Sequence, residues 1–147
     1  SSAASDVYKR QMPIHAKQVS VLLHGIDVGV APSDLISPND ATRALCFADI
    51  LGFIDAHYHY HPVTFTNGTV HNAVGTNEGS AKVFGFAKLH DLSQSDTLKL
   101  FCEHYQAVID NPTGIDHPNI RNFRFWGWRA FAMPHNPLTP KTRQNIR

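Results

Sequence analysis

The dipeptide Asn67-Gly68 constrains the fold most, because β-prone residues lie on both sides of it. These are Val63–Thr66 before the dipeptide and Thr69–His71 after it. An Asn-Gly pair between such runs is the strongest short signal for a β-hairpin, since both turn positions adopt positive φ. The remaining chain has mainly helical periodicity. We therefore predict an α+β fold, a mainly helical single domain with a small antiparallel sheet that includes this hairpin.

Four segments have apolar residues every three or four positions, which predicts amphipathic helices. They span residues 19–26, a second helix from Asn39 or Asp40 to about Tyr58, residues 81–89, and residues 93–109. The third segment also fits a buried strand, but Ser80 immediately before it is a good N-cap and favours a helix. Ser93 and Asp96 resemble a capping box at the start of the fourth helix.

The segment Asp116–Phe123 is dense in polar groups. Asp116 is a candidate N-cap for a further helix, and Pro118 is tolerated in a first turn, where no amide hydrogen is needed. Ile120 and Phe123 then face the core. After this helix we predict a strand over residues 128–133 and a frayed tail from residue 134.

The composition is that of one globular domain. The chain has 147 residues, 42% of them hydrophobic, and a formal net charge of +1. This balance argues against nucleic acid and membranes as partners, and no apolar run is long enough for a transmembrane helix. We expect residues 1–11 to be a non-native or disordered leader, residues 12–133 to form the domain, and residues 134–147 to be the tail.

Cys46 and Cys102 form neither a disulfide framework nor a C-x-x-C metal motif. We expect both thiols to be small buried groups in a reducing compartment, and therefore a cytoplasmic protein.

The first candidate site is the histidine run His57, His59 and His61. Histidines two apart on a strand share a face and can chelate one divalent metal, as can His57 and His61 one helical turn apart. Metal-dependent hydrolases with such a strand need a barrel of about 250 residues, and this chain is too short for one. The alternative is a helix end with solvated histidines. We predict no cofactor and keep a divalent metal as the alternative.

The second candidate is the segment Gly75–Lys82, in which glycines precede a helix N-terminus. Free amide hydrogens at such a terminus bind anions, and Lys82 would add positive charge. The residue order does not match the nucleotide-binding P-loop. The alternative is a capped turn with Lys82 in solvent.

The third candidate comprises four side chains of the polar segment, namely His117, Asn119, Arg121 and Asn122. Such a set can bind a carboxylate or a phosphate, with His117 able to transfer protons. His117 and Arg121 are four residues apart and share a helix face. We expect Asp55 or His57 to face this pair across the core. The alternative is a structural junction in which Arg121 pairs with an internal carboxylate such as Asp55.

An ordered series of short motifs resembles the HopJ type III effector family. The motifs are, in chain order, Ile54–Tyr58, Phe65–Gly68, Asn77–Ser80 with Lys82, Phe86–His90, Asp116-His117, Asn119–Phe123 and Gly127-Trp128. The resemblance covers about residues 47–131. It implies a small soluble α+β domain related to secreted bacterial effectors, and it implies no particular reaction. His59 and Ala81 depart from the family pattern, which argues against a shared metal site and against cysteine chemistry at position 81.

We therefore expect a HopJ-like protein of unassigned activity with a polar small-ligand site. Its partner would be an unknown small ligand or a protein. The alternatives are a small metal- or anion-dependent hydrolase that uses the histidines, and a host-protein interaction module secreted by a type III system. The candidate site residues are Asp55, His57, Asn67, Asn77, Ser80, Lys82, His90, Asp116, His117, Asn119, Arg121 and Asn122.

Overall fold

The computed structural model describes residues 46–141 of the chain. The predicted helix over residues 19–26, the predicted start of the second helix and the leader all lie outside these residues. The described elements, in chain order, are α1 (Phe47–His57), β1 (Tyr58–Tyr60), β2 (Phe65–Asn67), β3 (Val70–Asn72), α2 (Glu78–Leu89), α3 (Gln94–Lys99), α4 (Glu103–Asp110), α5 (Pro118–Trp126), a 3-10 helix (Gly127–Ala130), β4 (Phe131–Ala132) and β5 (Leu138–Pro140). The α+β prediction is confirmed.

The predicted hairpin is present as β2 and β3, which pair antiparallel, and β4 extends it to a three-stranded sheet of order β3-β2-β4. Its turn lies one residue later than predicted. Asn67 pairs with Val70 in the strands, so the two turn residues are Gly68 and Thr69. Gly68 has a φ of 60°, as a glycine at the first central position of a two-residue hairpin turn requires.

Helix α1 ends at His57, as the periodicity predicts, and the chain continues directly into β1. Strand β1 pairs antiparallel with β5, so residues 138–140 are not the frayed segment that we expected. The Leu138 side chain is buried, and Asn136 Nδ2 donates a hydrogen bond of 2.9 Å to the Gly85 carbonyl oxygen. These contacts are between residues far apart in the chain, which local composition does not reveal.

Helix α2 is the central helix, and the helical interpretation of residues 81–89 is confirmed. Its N-cap is Asn77, not Ser80, which lies in the first turn. The run Val83–Ala87 is buried throughout, which explains why its pattern fits a strand as well as a helix. Phe84 is at the centre of the core, with ring centroids 4.8–5.9 Å from four phenylalanine rings, those of Phe65, Phe101, Phe123 and Phe131.

The predicted helix over residues 93–109 is two helices, α3 and α4. Ser93 caps α3 as predicted, because its hydroxyl accepts a hydrogen bond from the Asp96 amide at 3.0 Å. The chain breaks at Cys102, which has a φ of 52°. Leu100, Phe101 and Cys102 are consecutive and all buried. A continuous helix would rotate one of the three away from the core, and the break keeps all three inside.

Helix α5 begins at Pro118, and Ile120 and Phe123 face the core as predicted. Its N-cap is His117 rather than Asp116. The strand predicted over residues 128–133 is limited to β4, since Trp128 belongs to the 3-10 helix that follows α5. Cys102 is buried as expected, whereas Cys46, the N-cap of α1, is only half-buried.

Candidate functional site

Four asparagines form a hydrogen-bonded group that we call the asparagine cluster: Asn67, Asn72, Asn77 and Asn119. Asn72 and Asn119 exchange amide hydrogen bonds of 3.1 and 2.9 Å, and both side chains are buried. Asn67 Nδ2 donates to the Asn119 side chain and backbone, and Asn77 Nδ2 donates to Asn72 at 2.7 Å. Asn67 Oδ1 is buried and has no hydrogen-bond partner among residues 46–141.

The asparagine cluster joins three separate parts of the fold at one point. Asn67 and Asn72 belong to the hairpin, Asn119 is in the first turn of α5, and Asn77 is the N-cap of α2. The N-termini of α2 and α5 are therefore held together by the hairpin. Both helices start from a residue with left-handed backbone conformation, Asn77 with a φ of 50° and His117 with a φ of 49°.

A cavity of about 330 Å³ lies where the first turns of four helices meet. We call it the histidine pocket. Phe47 of α1, Ser80 of α2 and His104 of α4 line it, together with His117 and Asn119 at the start of α5. Four of the predicted site residues are thus brought together, namely Asn77, Ser80, His117 and Asn119.

Two imidazole rings form one wall of the histidine pocket. The ring centroids of His104 and His117 are 4.9 Å apart, with planes inclined by 38°. The Phe47 ring meets His104 edge-on at 5.1 Å and stacks on Phe101 at 5.6 Å. The imidazole nitrogens of His104 have no hydrogen-bond partner within the described residues, so a ligand can use them. Sequence reasoning missed His104, because it lies in a predicted regular helix and belongs to no motif.

Arg121 does not point into the histidine pocket. Its guanidinium donates hydrogen bonds to the Asn111 carbonyl oxygen at 2.8 Å and to the backbone and side chain of Asp116. The hydrogen bond from Arg121 lowers the pKa of Asp116 below its ordinary value. The other Asp116 oxygen, Oδ2, is 3.8 Å from His117 Nε2. Arg121 thus holds the loop before α5 in place. It also binds Asp116, whose carboxylate lies beside the His117 ring.

The remaining predicted site residues lie elsewhere. Lys82 Nζ is 2.8 Å from Asp55 Oδ1, so each has the other as its ionic partner. The His57 ring packs on Phe53, and Asn122 Oδ1 accepts a hydrogen bond of 2.9 Å from the Thr69 amide in the hairpin turn. The structure does not bring Asp55, His57 and Lys82 to the cleft that we expected around His117 and Arg121, since none of the three lines the histidine pocket.

The histidine run does not converge either. His57 ends α1 and His59 is exposed on β1, while His61 Nε2 lies 3.2 Å from the Thr139 hydroxyl. Among residues 46–141, no group of three histidine, cysteine, aspartate or glutamate side chains is arranged to hold a metal ion. No helix in the same part of the chain is both long and apolar enough to cross a membrane.

The predicted site residue His90 is part of a partly buried polar pair with Tyr58. The Tyr58 hydroxyl and His90 Nε2 are 2.7 Å apart in a hydrogen bond. Burial raises the pKa of Tyr58 to about 12. Burial also lowers the pKa of His90 below its ordinary value of 6.5, against a smaller opposite effect of Asp91. The pair joins β1 to the end of α2, and neither residue lines the histidine pocket.

The described residues thus define an α+β domain with a pocket lined by two histidines and framed by helix N-termini. The family model for the HopJ type III effector protein matches residues 36–138, and the chain belongs to this family. A solved structure described as "Crystal structure of unknown function protein VPA0580" is 30% identical in sequence, with a TM-score of 0.66. The alignment covers 88% of this chain and 97% of that chain. A comparison with curated proteins finds no match.

We predict that Asn72→Ala lowers the free energy of unfolding by about 2–3 kcal/mol, because it leaves buried amide groups of its neighbours unpaired. The double variant Asn72→Ala/Asn119→Ala should lose less than the sum of the two single variants, since it removes both partners. Urea denaturation of the four proteins measures this coupling. Asn111→Ala, on an exposed side chain, is the control and should change stability by less than about 0.5 kcal/mol. Strict additivity of the two cluster variants would contradict the role of the cluster.

We predict that protonation of His90 destabilises the fold in acid. The folded-state pKa of His90 is below the unfolded value, so the unfolded chain binds this proton first as the pH falls. The contribution of neutral His90 is full above pH 6.5 and is lost as the pH falls through the folded pKa. His90→Gln, which cannot be protonated, should show a smaller loss of stability between pH 7.5 and pH 5.5 than the wild type. His59→Gln, on an exposed strand position, should keep the wild-type slope; equal slopes for all three proteins would refute the assignment.

Proposed function

We propose that this HopJ-family protein binds a small polar ligand in the histidine pocket. The observation on which the proposal depends is the contact between His104 and His117 inside a cavity of about 330 Å³. Ligand sites are concave, mostly apolar and furnished with a few convergent polar groups, usually with volumes of roughly 300–1,000 Å³. Phe47 and Phe101 supply the apolar wall, and the imidazoles supply the polar groups.

The polar groups around the pocket favour a ligand with a carboxylate or a phosphate. Gly79 and Ser80 line the pocket in the first turn of α2, where backbone N–H groups lack carbonyl partners within the helix. Such backbone N–H groups and the N–H group of an imidazole are hydrogen-bond donors, which suit an anionic acceptor. Two nearby carboxylates have other partners. Glu103 accepts a hydrogen bond of 2.6 Å from the Phe47 amide, and Asp116 accepts a hydrogen bond from the Arg121 guanidinium.

Family membership bears on where the protein acts. Membership supports an effector-like protein, and we propose that it acts in the cytoplasm, where Cys46 and Cys102 remain free thiols. Delivery through a type III secretion system is the extension that the family description suggests. Ligand binding requires no cofactor in this proposal, so treatment with EDTA should leave it unchanged.

Nuclear magnetic resonance titration with succinate and with inorganic phosphate tests the binding proposal. We expect saturable shifts of the amides of Gly79, Ser80, His104 and His117, which belong to residues that line the pocket. The variant His104→Gln/His117→Asn should weaken binding at least tenfold; asparagine is chosen because it tolerates the left-handed conformation at position 117.

The matched control for this titration is His59→Gln/His71→Gln, which removes two exposed imidazoles outside the pocket. It should bind as tightly as the wild type. Unchanged affinity in the pocket variant, or shifts confined to other residues, would overturn the proposal.

Hydrolysis is a second candidate function, favoured by one further observation. Ser80 and His117 line the same pocket, and the Asp116 carboxylate is 3.8 Å from the His117 ring. A hydroxyl nucleophile, an imidazole base and a carboxylate that orients the base are the groups that acyl transfer uses. The amide hydrogens at the start of α2 would then face the developing oxyanion.

We predict for this second candidate that Ser80→Ala and His117→Asn each abolish release of p-nitrophenol from p-nitrophenyl acetate above the rate of the buffer. Ser80→Ala should retain succinate binding, because the imidazoles remain. Ser93→Ala, which removes a hydroxyl used in capping α3, is the control for loss of a serine. Equal rates in the wild type and both pocket variants would eliminate hydrolysis and leave the binding proposal intact.

A further inference from the structure

A second surface, at the C-terminal end of α5, exposes large apolar side chains beside arginines. Phe125 is 69% exposed and Trp126 is 38% exposed. The Arg129 guanidinium lies 5.5 Å from the Trp126 ring centre, and the Phe125 and Trp126 rings meet edge-on at 4.9 Å. We call Arg124, Phe125, Trp126 and Arg129 the aromatic–arginine surface. Side chains of this size and number are costly to leave in water without a partner.

A groove of about 290 Å³ lies next to the aromatic–arginine surface. Val108 and Pro112 form its apolar part, and Arg121, Arg124 and Phe125 form its rim. Arg121 is already bound to Asp116. Arg124 and Arg129, by contrast, form no ion pair with any carboxylate in residues 46–141. The groove thus combines an apolar recess, large enough for one side chain, with positive charge that has no partner in the described chain.

A side chain of α3 is hydrogen-bonded to the backbone that carries this surface. Gln94 Nε2 donates hydrogen bonds to the carbonyl oxygens of Phe123 and Arg124, at 3.1 and 2.9 Å. The last turn of α5 is therefore fixed by a side chain from α3. The exposed side chains are presented on a preorganised backbone, which lowers the ordering cost of binding.

We propose that the aromatic–arginine surface docks a segment of another protein that contains acidic residues next to one large apolar side chain. Charge complementarity identifies this occupant: carboxylates pair with the two arginines, and the apolar side chain enters the recess beside Phe125. Aromatic residues and arginine are also the types most enriched at the energetic centres of protein interfaces. A formal net charge of +1 gives little attraction to nucleic acid or anionic lipid, and a bilayer does not fill a recess.

This surface shares no residue with the lining of the histidine pocket, so each proposal can fail alone. The test selects peptides from a phage-displayed library of random 16-residue sequences on immobilised full-length protein. Enriched peptides should share aspartate or glutamate near leucine, phenylalanine or tryptophan. Fluorescence anisotropy of the most enriched peptide should then show at least tenfold weaker binding to Arg124→Glu/Phe125→Ser and weaker binding at higher salt.

The control variant Val74→Ser/Lys99→Glu makes the same charge change and also removes an exposed apolar side chain, at sites outside the surface. It should bind the selected peptide like the wild type, which separates docking from general effects of charge. No enrichment, enrichment of peptides without acidic residues, or equal loss in both variants would overturn the proposal. So would displacement of the peptide by oligo(dT) or by vesicles containing 30% phosphatidylserine, since either result would assign the surface to another class of partner.

Discussion

The reciprocal amide pair between Asn72 and Asn119 is the interaction on which the rest of the described structure depends. A buried amide without a partner costs about as much as a lost hydrogen bond, so the hairpin and α5 are bound to one relative position. A hydrophobic contact would permit sliding, because apolar contacts have no direction. The directional hydrogen bonds of the amide pair allow only one alignment of the hairpin against α5. Asn67 and Asn77 extend this constraint to the end of β2 and to the start of α2.

The same constraint explains why a pocket forms where it does. Asn77 and His117 both adopt the left-handed conformation, which costs a residue other than glycine roughly 1–2 kcal/mol and which asparagine and histidine tolerate better than most. The hydrogen bond from Asn77 Nδ2 to Asn72 offsets part of this cost at the start of α2. These two left-handed residues direct the first helical turns of α2 and α5 to the same cavity. The position of His117 beside His104 is therefore determined by where the helices begin and not by a particular loop.

Local signals in the sequence predicted the elements that depend on local interactions. The hairpin at Gly68, the helix start at Pro118 and the cap at Ser93 all follow from conformational preferences within a few residues. The break at Cys102 and the pairing of β5 with β1 could not be predicted in this way, because both result from burial against distant residues. His104 was missed for the same reason. Its position in the pocket depends on the break that precedes α4.

The site residues show why polar density alone is a poor guide to function. Lys82, Arg121 and Asn122 were selected for their chemistry, and each is engaged within the described fold by a hydrogen bond or an ion pair. A group whose donors and acceptors are already matched can bind a ligand only by breaking those contacts. His104 and Arg124 differ, because their charged or titratable groups have no such partner in residues 46–141 while their helices are firmly held. Binding energy is available from groups of this second kind, since the fold has fixed their positions without using their bonding capacity.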